Sequence, residues 1–228
     1  MNKFYLRKGL DDIKICQYLS LDNFLKQLIG GKYYVRRKNM FEDVTEKTLP
    51  IDFLFVPSEV NTNQKNQSKD LLDRQIQKFN RFKELSKSFV SCWTKDISSD
   101  YFMWKTYAST YGVCIMSTIK NFIASFDNRC FVNYETYVSD VIYRNFSYAD
   151  EPDDLLFVKN PLYRSEQEIR FIFLPNEDSP QNKYNILLPY NYDVMIDEVR
   201  LSPFWASATS KFLKDILENK FGLKVKIK

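Results

Sequence analysis

The chain has 228 residues, of which 44% are hydrophobic and 27% are charged, and its formal net charge is +4. This length is sufficient for one sizeable core, and the composition differs from that of disordered and membrane-spanning proteins. Histidine is absent, which excludes Ser-His-Asp triads, Cys-His pairs and most catalytic zinc sites. Any catalysis must therefore use carboxylates, tyrosines, lysines, arginines, serines or a bound cofactor.

Two sequence features indicate the compartment. The first eight residues lack the apolar stretch and cleavage site of a signal peptide, and no apolar run approaches the roughly 20 residues that span a bilayer. We therefore expect a cytoplasmic protein. The cysteines are far apart and form no C-x-x-C pair, so we expect free thiols rather than zinc ligands; they are Cys16, Cys92, Cys114 and Cys130.

The first predicted elements form a strand–helix–strand unit. Residues 14–18 favour a strand, and Ser20 is placed to cap a helix whose apolar residues recur at helical spacing. Gly30 and Gly31 end that helix. Residues 32–36 then resume as a strand.

A polar loop is predicted at residues 57–69, and loops of this length in compact domains are often functional. A helix is predicted to follow over residues 68–88. Its apolar stripe contains Leu72, Ile76, Phe79 and Leu85. A basic stripe on another face, formed by Arg74, Lys78 and Arg81, fits either a solvated surface or a nucleic-acid interface.

The remainder of the chain mixes strands and helices without strict alternation. This pattern favours an α+β domain with a mixed, mostly antiparallel central sheet flanked by helices, and residues 1–228 are predicted to form a single domain. The predicted strands are 89–93, 112–116, 168–174, 184–188, 194–201 and 223–227, with one strand or hairpin at 131–144. The predicted helices are 100–110, a helix capped by Ser117 or Thr118 that ends near 126, 153–159 and 206–219.

The segment Glu166-Gln167-Glu168-Ile169-Arg170 is the leading candidate for a site. On a strand, alternate residues share a face, so Glu166, Glu168 and Arg170 are expected to point the same way. Two carboxylates on one face repel each other, and Arg170 offsets part of that repulsion. Such a cluster is costly to bury, so it is expected to be functional or solvated. A charged strand edge is the structural alternative.

Two further features are weaker candidates. Trp104 and Tyr107 lie three residues apart on one helical face, which fits core packing as well as a ligand platform. Tyr18 and Ser20 end the first predicted strand just before a helix N-terminus, where an anion or a ribose could bind. The five glycines form neither G-x-G-x-x-G nor a P-loop, so a Rossmann site and a P-loop are not supported.

In chain order, these segments resemble a bacterial protein family known only as a domain of unknown function. The resemblance covers nearly the whole chain, although Tyr163 stands where tryptophan is more common, and Leu19 and residues 41–44 also depart from the family. The matching signatures are Tyr18 to Phe24, Val90 to Thr94, Met103 to Ile115, the set Lys159, Tyr163, Glu166, Glu168 and Arg170, and the end of the chain from Glu198.

That family is in turn similar in plan to ADP-ribosyltransferases, including DarT-type toxins. The similarity implies that NAD is the substrate, with Glu168 as the catalytic carboxylate and Glu166 beside it. It also implies that Tyr18 or Ser20 meets the nicotinamide ribose. Judged from residue type, Trp104 or Tyr107 could stack on nicotinamide, and Arg36 or Arg170 could meet the pyrophosphate. No metal is expected.

Three functions remain open. The leading hypothesis is an NAD-consuming ADP-ribosyltransferase that modifies RNA or DNA as a toxin or anti-phage effector, with a neutralising antitoxin as a possible partner. The basic stripe and residues 33–38 would suit nucleic acid held through phosphates. The alternatives are a non-catalytic nucleic-acid or protein-binding module, and a nuclease holding magnesium on Glu166, Glu168 and Asp96.

Overall fold

The computed structural model describes residues 4–6, 9–40, 65–95, 101–145, 153–176 and 184–228. Within these ranges, ten strands form one sheet and two form a small second one. The strands are β1 Phe4–Leu6, β2 Lys14–Ser20, β3 Lys32–Arg37, β4 Phe89–Lys95, β5 Gly112–Thr118, β6 Tyr134–Asp140, β7 Ile142–Tyr143, β8 Val158–Lys159, β9 Glu168–Pro175, β10 Asn185–Pro189, β11 Glu198–Leu201 and β12 Lys226–Ile227.

Helices flank the large sheet, and short 3-10 helices connect several strands. The helices are α1 Leu21–Gly30, α2 Lys65–Leu85, α3 Tyr101–Met103, which continues as a π-helix over Trp104–Ala108, α4 Ile119–Ala124, α5 Tyr192–Met195 and α6 Ser207–Asn219. In the ranges above, none of these helices is long and apolar enough to cross a membrane.

The large sheet has the order β1-β6-β9-β4-β2-β5-β11-β12, with β3 pairing to β4 and β10 pairing to β3. Its strand pairs are antiparallel except β1 with β6 and β11 with β12. The predicted mixed, mostly antiparallel α+β fold of a single domain is therefore confirmed. The extension of that domain over all of residues 1–228 stays a prediction.

The two faces of the large sheet bury different groups of residues. One face carries the main core, where Trp93 and Phe171 pack against Phe122 of α4. The opposite face carries a smaller cluster that includes Cys16, Tyr18 and Trp104. That second face also carries the charged residues of β9, because Cys16, Thr94 and Glu168 are paired across three strands.

The start of the chain folds as its local signals predict. The Ser20 hydroxyl accepts a hydrogen bond from the backbone N–H of Asn23 at 3.3 Å, and Gly31 ends α1 with φ 56°. Thr118 rather than Ser117 caps α4. The four cysteines are free thiols, as expected.

Helix α2 differs from its prediction at both its start and its surface. It begins at Lys65, so residues 65–69 of the predicted loop are helical, while residues 57–64 lie outside the described ranges. Only Leu85 of the predicted apolar stripe is buried; Leu72, Ile76 and Phe79 are each about half exposed. The spacing of apolar residues shows which of them share a face, but the neighbours available to cover that face depend on the tertiary structure.

Several other element predictions were wrong in detail. Residues 131–144 are not one strand or hairpin, since β6 ends at Asp140 and β7 pairs with β8 instead. Residues 194–201 split into the end of α5 and strand β11. Strand β1 was not predicted. Short, partly apolar segments of this kind are ambiguous between helix and strand until a pairing partner is known.

Candidate functional site

The register of the sheet places the charged segment beside the strands predicted to form the site. Glu168 opens β9 next to Thr94 of β4, and Thr94 lies next to Cys16 of β2. Because paired residues share a face, and residues two apart on a strand do as well, Glu168, Arg170 and Tyr18 lie on one face of the sheet.

Glu166 reaches this group by a different route from the one predicted. It does not belong to β9 but ends the 3-10 helix Pro161–Glu166. Gln167 then adopts a left-handed conformation with φ 44°, and the turn is anchored to β4. The Thr94 hydroxyl donates to the carbonyl of Glu166, and the Lys95 N–H donates to the carbonyl of Gln167 at 3.0 Å. A turn, rather than strand alternation, therefore brings both carboxylates together.

The two carboxylates form a buried cluster of charges with two cations. Lys159 Nζ lies 2.7 Å from Glu166 Oε2 and 3.3 Å from Glu168 Oε2. Arg170 Nε and Nη2 donate to the two oxygens of Glu168 at 2.7 and 3.2 Å, and Arg170 Nη1 donates to the Leu156 carbonyl at 2.9 Å. All four charged side chains are at most 8% exposed. When all four are ionised, their charges cancel, as burial requires.

The surroundings hold Glu168 in its ionised form. Burial by itself raises the pKa of a carboxyl group, but the charges and hydrogen bonds of Arg170 and Lys159 outweigh it, so the pKa of Glu168 falls from 4.5 to about 2. The Tyr143 hydroxyl accepts a hydrogen bond from the Glu168 N–H at 2.7 Å. Burial raises the pKa of Tyr143 to about 12. Tyr143 therefore remains a neutral phenol beside the cluster at neutral pH.

Tyr107 links the cluster to the surface. Its hydroxyl donates to Glu166 Oε1 at 2.6 Å, while the residue as a whole is 43% exposed. Burial of the hydroxyl end and the negative charge of Glu166 raise the pKa of Tyr107. Tyr107 belongs to the π-helix that ends before Ser109, a residue with φ 57°. Insertions of π-helix are frequent at functional sites, and this one directs the phenol at the carboxylate.

Tyr18 and Trp104 pack against each other on the same face as the charged cluster. Their rings meet edge to face with centroids 5.0 Å apart, and both residues are buried at 6% and 5% exposure. They therefore belong to the apolar core on this face of the sheet and do not form an exposed platform for a ligand. Ser20 caps α1. It is the last residue of β2 and pairs with Gly112 of β5.

Of the predicted basic residues, Arg170 belongs to the cluster, whereas Arg36 lies farther away. Arg36 pairs with Val90 on β4, four residues before Thr94, which corresponds to about 13 Å along a strand. Within residues 33–38, Tyr33 and Lys38 are buried, whereas Arg36 and Arg37 are partly exposed, so their contact with nucleic acid stays a prediction. In the predicted stripe on α2, Arg81 is bonded to Asp153, with Nη2 2.7 Å from Oδ1.

Four aromatic side chains within residues 101–111, one of them Tyr107, are exposed, and this group was not predicted. The rings of Tyr101 and Tyr111 also meet Phe204 and Trp205 edge to face. The rings of the group belong to residues that are 43–61% exposed, and Lys105 lies among them with its ammonium 5.0 Å from the centre of the Tyr101 ring. We use the name aromatic patch for these rings, which belong to Tyr101, Phe102, Tyr107 and Tyr111.

Two residues of the cluster were absent from the predicted site. Lys159 belongs to the sequence signature but was assigned no role in the predicted site. Its short distance from Glu166 in the sequence could have indicated that the two side chains meet. Its ammonium also lies 4.6 Å from the centre of the Tyr163 ring, so the signature Lys159, Tyr163, Glu166, Glu168 and Arg170 is one contiguous group. Tyr143 carried no sequence signal, because only the pairing of β7 with β8 brings it near Glu168.

Across the portion of the chain that the structure describes, no three side chains of the Cys, Asp or Glu type form a group suited to a metal ion. Asp96, the third ligand of the magnesium hypothesis, lies outside that portion. Glu166 and Glu168 already have cations as partners, and a metal ion would have to displace Lys159 from both carboxylates.

Comparison with known proteins finds distant structural similarities, of which two are described here. No protein-family model matches the sequence, so membership of the family with the matching signatures stays a prediction. No curated protein matches the sequence either. The fold is similar to Thermus sp. 2.9 DarT in complex with NAD+, with a TM-score of 0.41, 10% identity, and coverage of 95% of this chain and 94% of that chain. It is also similar to Thermus sp. 2.9 DarT in complex with ADP-ribosylated ssDNA, with a TM-score of 0.39, 10% identity, and coverage of 100% and 96%.

Proposed function

We propose that this protein is an NAD-consuming ADP-ribosyltransferase whose reacting centre lies at Glu166 and Glu168. The observation that carries the proposal is the buried carboxylate pair, one member of which is hydrogen-bonded to the partly exposed Tyr107. A pair of ionised carboxylates held in a dry site is costly, and such sites are commonly functional. The chain lacks histidine, so the reaction must be one that carboxylates and phenols can support.

Transfer of ADP-ribose is such a reaction. The bond between the ribose C1′ and the nicotinamide nitrogen breaks, its electron pair goes to nicotinamide, and nicotinamide leaves as a neutral molecule that needs no general acid. A nucleophile of the acceptor then bonds to C1′ and loses its proton. A fixed carboxylate stabilises the positive charge that develops on the ribose and can hold a ribose hydroxyl.

The geometry favours different roles for the two carboxylates. Both oxygens of Glu168 are bonded to buried cations, so we assign Glu168 to holding the site together electrostatically. Glu166 Oε1 instead accepts a hydrogen bond from a hydroxyl group, and a ribose hydroxyl could replace that of Tyr107. We therefore assign the contact with substrate to Glu166, with Glu168 as its neighbour.

The aromatic patch supports a nucleic acid as the acceptor. Exposed rings with a lysine among them are typical of surfaces on which unpaired bases stack. One of these rings, Tyr107, is bonded to Glu166, so a base stacked on the patch would lie close to the proposed reacting centre. A transferase of this kind would act as a toxin or an anti-phage effector and would require an antitoxin in its host.

The decisive experiment compares the wild type, Glu166→Gln, Glu168→Gln and the control Glu135→Gln, whose carboxylate is exposed. Each protein is incubated with labelled NAD and with RNA, DNA or bacterial lysate, while free nicotinamide and transferred label are measured. We expect the wild type and Glu135→Gln to turn over NAD. In Glu166→Gln we expect NAD turnover to fall by roughly 100-fold or more, the scale seen when one stabilising group is removed. An inactive wild type under all conditions would refute the proposal.

A non-catalytic nucleic-acid-binding module is the second candidate. The observation that favours it is that all four carboxylate oxygens of the pair already have a bonding partner. On this hypothesis, the wild type and Glu166→Gln bind RNA or DNA equally and neither releases nicotinamide. Binding is measured by fluorescence anisotropy at two salt concentrations, since phosphate contacts weaken as salt rises.

A further inference from the structure

Lys159 occupies a central position in the charged cluster that no other cation shares among the described residues. It lies on the two-residue strand β8, which pairs only with the equally short β7, and its side chain is 8% exposed. Its ammonium is bonded to Glu166 and to Glu168, whereas Arg170 is bonded to Glu168. One cation therefore bridges the two carboxylates, and the other is bonded to Glu168.

The electrostatic consequence follows from these distances. Two oxygens bonded to the same nitrogen lie within about 6 Å of each other, where like charges disfavour ionisation of both groups. With Lys159 and Arg170 present, the cluster is neutral when both carboxylates are ionised. Without Lys159, two carboxylates would share one buried cation, and the pair would retain a proton to a higher pH.

We propose that Lys159 is a positioning residue that keeps the carboxylate pair ionised and holds Glu166 against Tyr107. This role rests on the proposed transferase function, in which an ionised Glu166 meets the ribose. Lys159 acts through the carboxylates and is not itself expected to contact NAD. Because Lys159 lies on β8, the small β7–β8 sheet contributes both Lys159 and Tyr143 to the surroundings of the carboxylate pair.

The groups that face the pair come from five elements. Tyr107 approaches from the π-helix, Tyr143 from β7, Cys92 from β4, Arg170 from β9 and Lys159 from β8. The pKa values of Tyr107 and Tyr143 are raised by burial, so neither phenol ionises near neutral pH. A new titration of glutamate carboxyl carbons near neutral pH after removal of Lys159 would therefore belong to the carboxylate pair, because this signal follows the carboxyl groups directly and not the Cys92 thiol.

The test uses the full chain with Lys159→Met, Lys159→Arg and the control Lys120→Met, which alters an exposed lysine of α4. Carboxyl carbons of labelled glutamates are followed by NMR from pH 4 to 9, and NAD turnover is measured over the same range. In Lys159→Met we expect a carboxyl titration at least about one pH unit above any buried carboxyl of the wild type. We also expect a roughly 100-fold loss of turnover at pH 7 that is partly recovered at pH 9. Lys159→Arg and Lys120→Met should titrate like the wild type.

A double variant keeps the test decisive if Lys159→Met folds poorly. Lys159→Met combined with Glu166→Gln removes one charge of each sign and leaves the Glu168–Arg170 pair. We expect this double variant to be more stable than Lys159→Met alone, because charge balance is restored. If it is less stable, or if the carboxyl titration of Lys159→Met matches the wild type, Lys159 acts only through packing and the proposal is overturned. If the titration shifts as expected but the wild type releases no nicotinamide, only the transferase proposal fails.

Discussion

Replacing Glu168 with glutamine removes a negative charge whose two oxygens are both bonded to cations. Of the two carboxylates, Glu166 alone would then face Arg170 and Lys159, in a site where each side chain is at most 8% exposed. Glutamine keeps the shape of the side chain, but its amide group would face a guanidinium that offers only donors. A change in folding stability in this variant therefore reports the loss of charge and not a loss of side-chain volume.

The magnitude follows from the pKa of Glu168, which is lowered from 4.5 to about 2 in the folded protein. This difference corresponds to roughly 3 kcal/mol of folding stability at neutral pH, close to the roughly 3–5 kcal/mol seen when a buried ion pair loses one partner. Because the folded pKa lies below the unfolded value, the contribution is complete above about pH 4.5 and disappears as the pH falls to about 2.

The assay is urea unfolding of the wild type and Glu168→Gln at pH 7, 5, 4 and 3. We expect a difference of roughly 3 kcal/mol at pH 7 that shrinks steadily below about pH 4.5. Glu135→Gln, at an exposed position of β6, should stay within about 0.5 kcal/mol of the wild type at pH 7. A Glu168→Gln difference under about 1 kcal/mol at pH 7, or one unchanged between pH 7 and 3, would refute this account of the cluster.

Three further substitutions test the backbone and hydrogen bonds around the site. Tyr107→Phe removes the donor to Glu166 Oε1 and should lower the free energy of unfolding by about 1–3 kcal/mol, measured by urea unfolding; an unchanged midpoint would contradict this bond. Gly112→Ala would drive a methyl group into two backbone carbonyl oxygens, whereas Gly30 has open space around it. Thermal melting should therefore show a large decrease in melting temperature for Gly112→Ala and no decrease of that size for Gly30→Ala. Ser109 has φ 57° and ψ −177°, a region that only glycine adopts readily, so Ser109→Gly should raise the melting temperature, and a lower value would refute strain at this position.

The consequence for function is that Glu168→Gln alone cannot separate catalysis from folding. A loss of NAD turnover in that variant would combine a lost carboxylate with a destabilised cluster. Glu166→Gln is the sharper catalytic probe, because Glu166 has one bond to a cation and one to a phenol. Comparison of the two variants at a temperature where both are folded separates the two effects.

The sequence alone determined much of the local structure and singled out the segment that forms the charged cluster. Ser20, Gly31 and Thr118 specified helix ends through hydrogen bonds with near neighbours in the chain, and such signals need no tertiary context. The lack of histidine restricted the chemistry. The charged segment 166–170 was identified from its pattern, because adjacent like charges before an apolar strand are unusual.

Only the tertiary structure decided how those charges are balanced. Lys159 is seven residues from Glu166 and Tyr107 is 59 residues from it, and both contacts depend on the left-handed turn at Gln167 and on the pairing of β4 with β9. The same is true of the faces of α2, where Leu72 is exposed although its spacing fits a core stripe. Periodicity shows which residues share a face, whereas burial and ion pairing depend on segments distant in the chain that only the complete fold brings together.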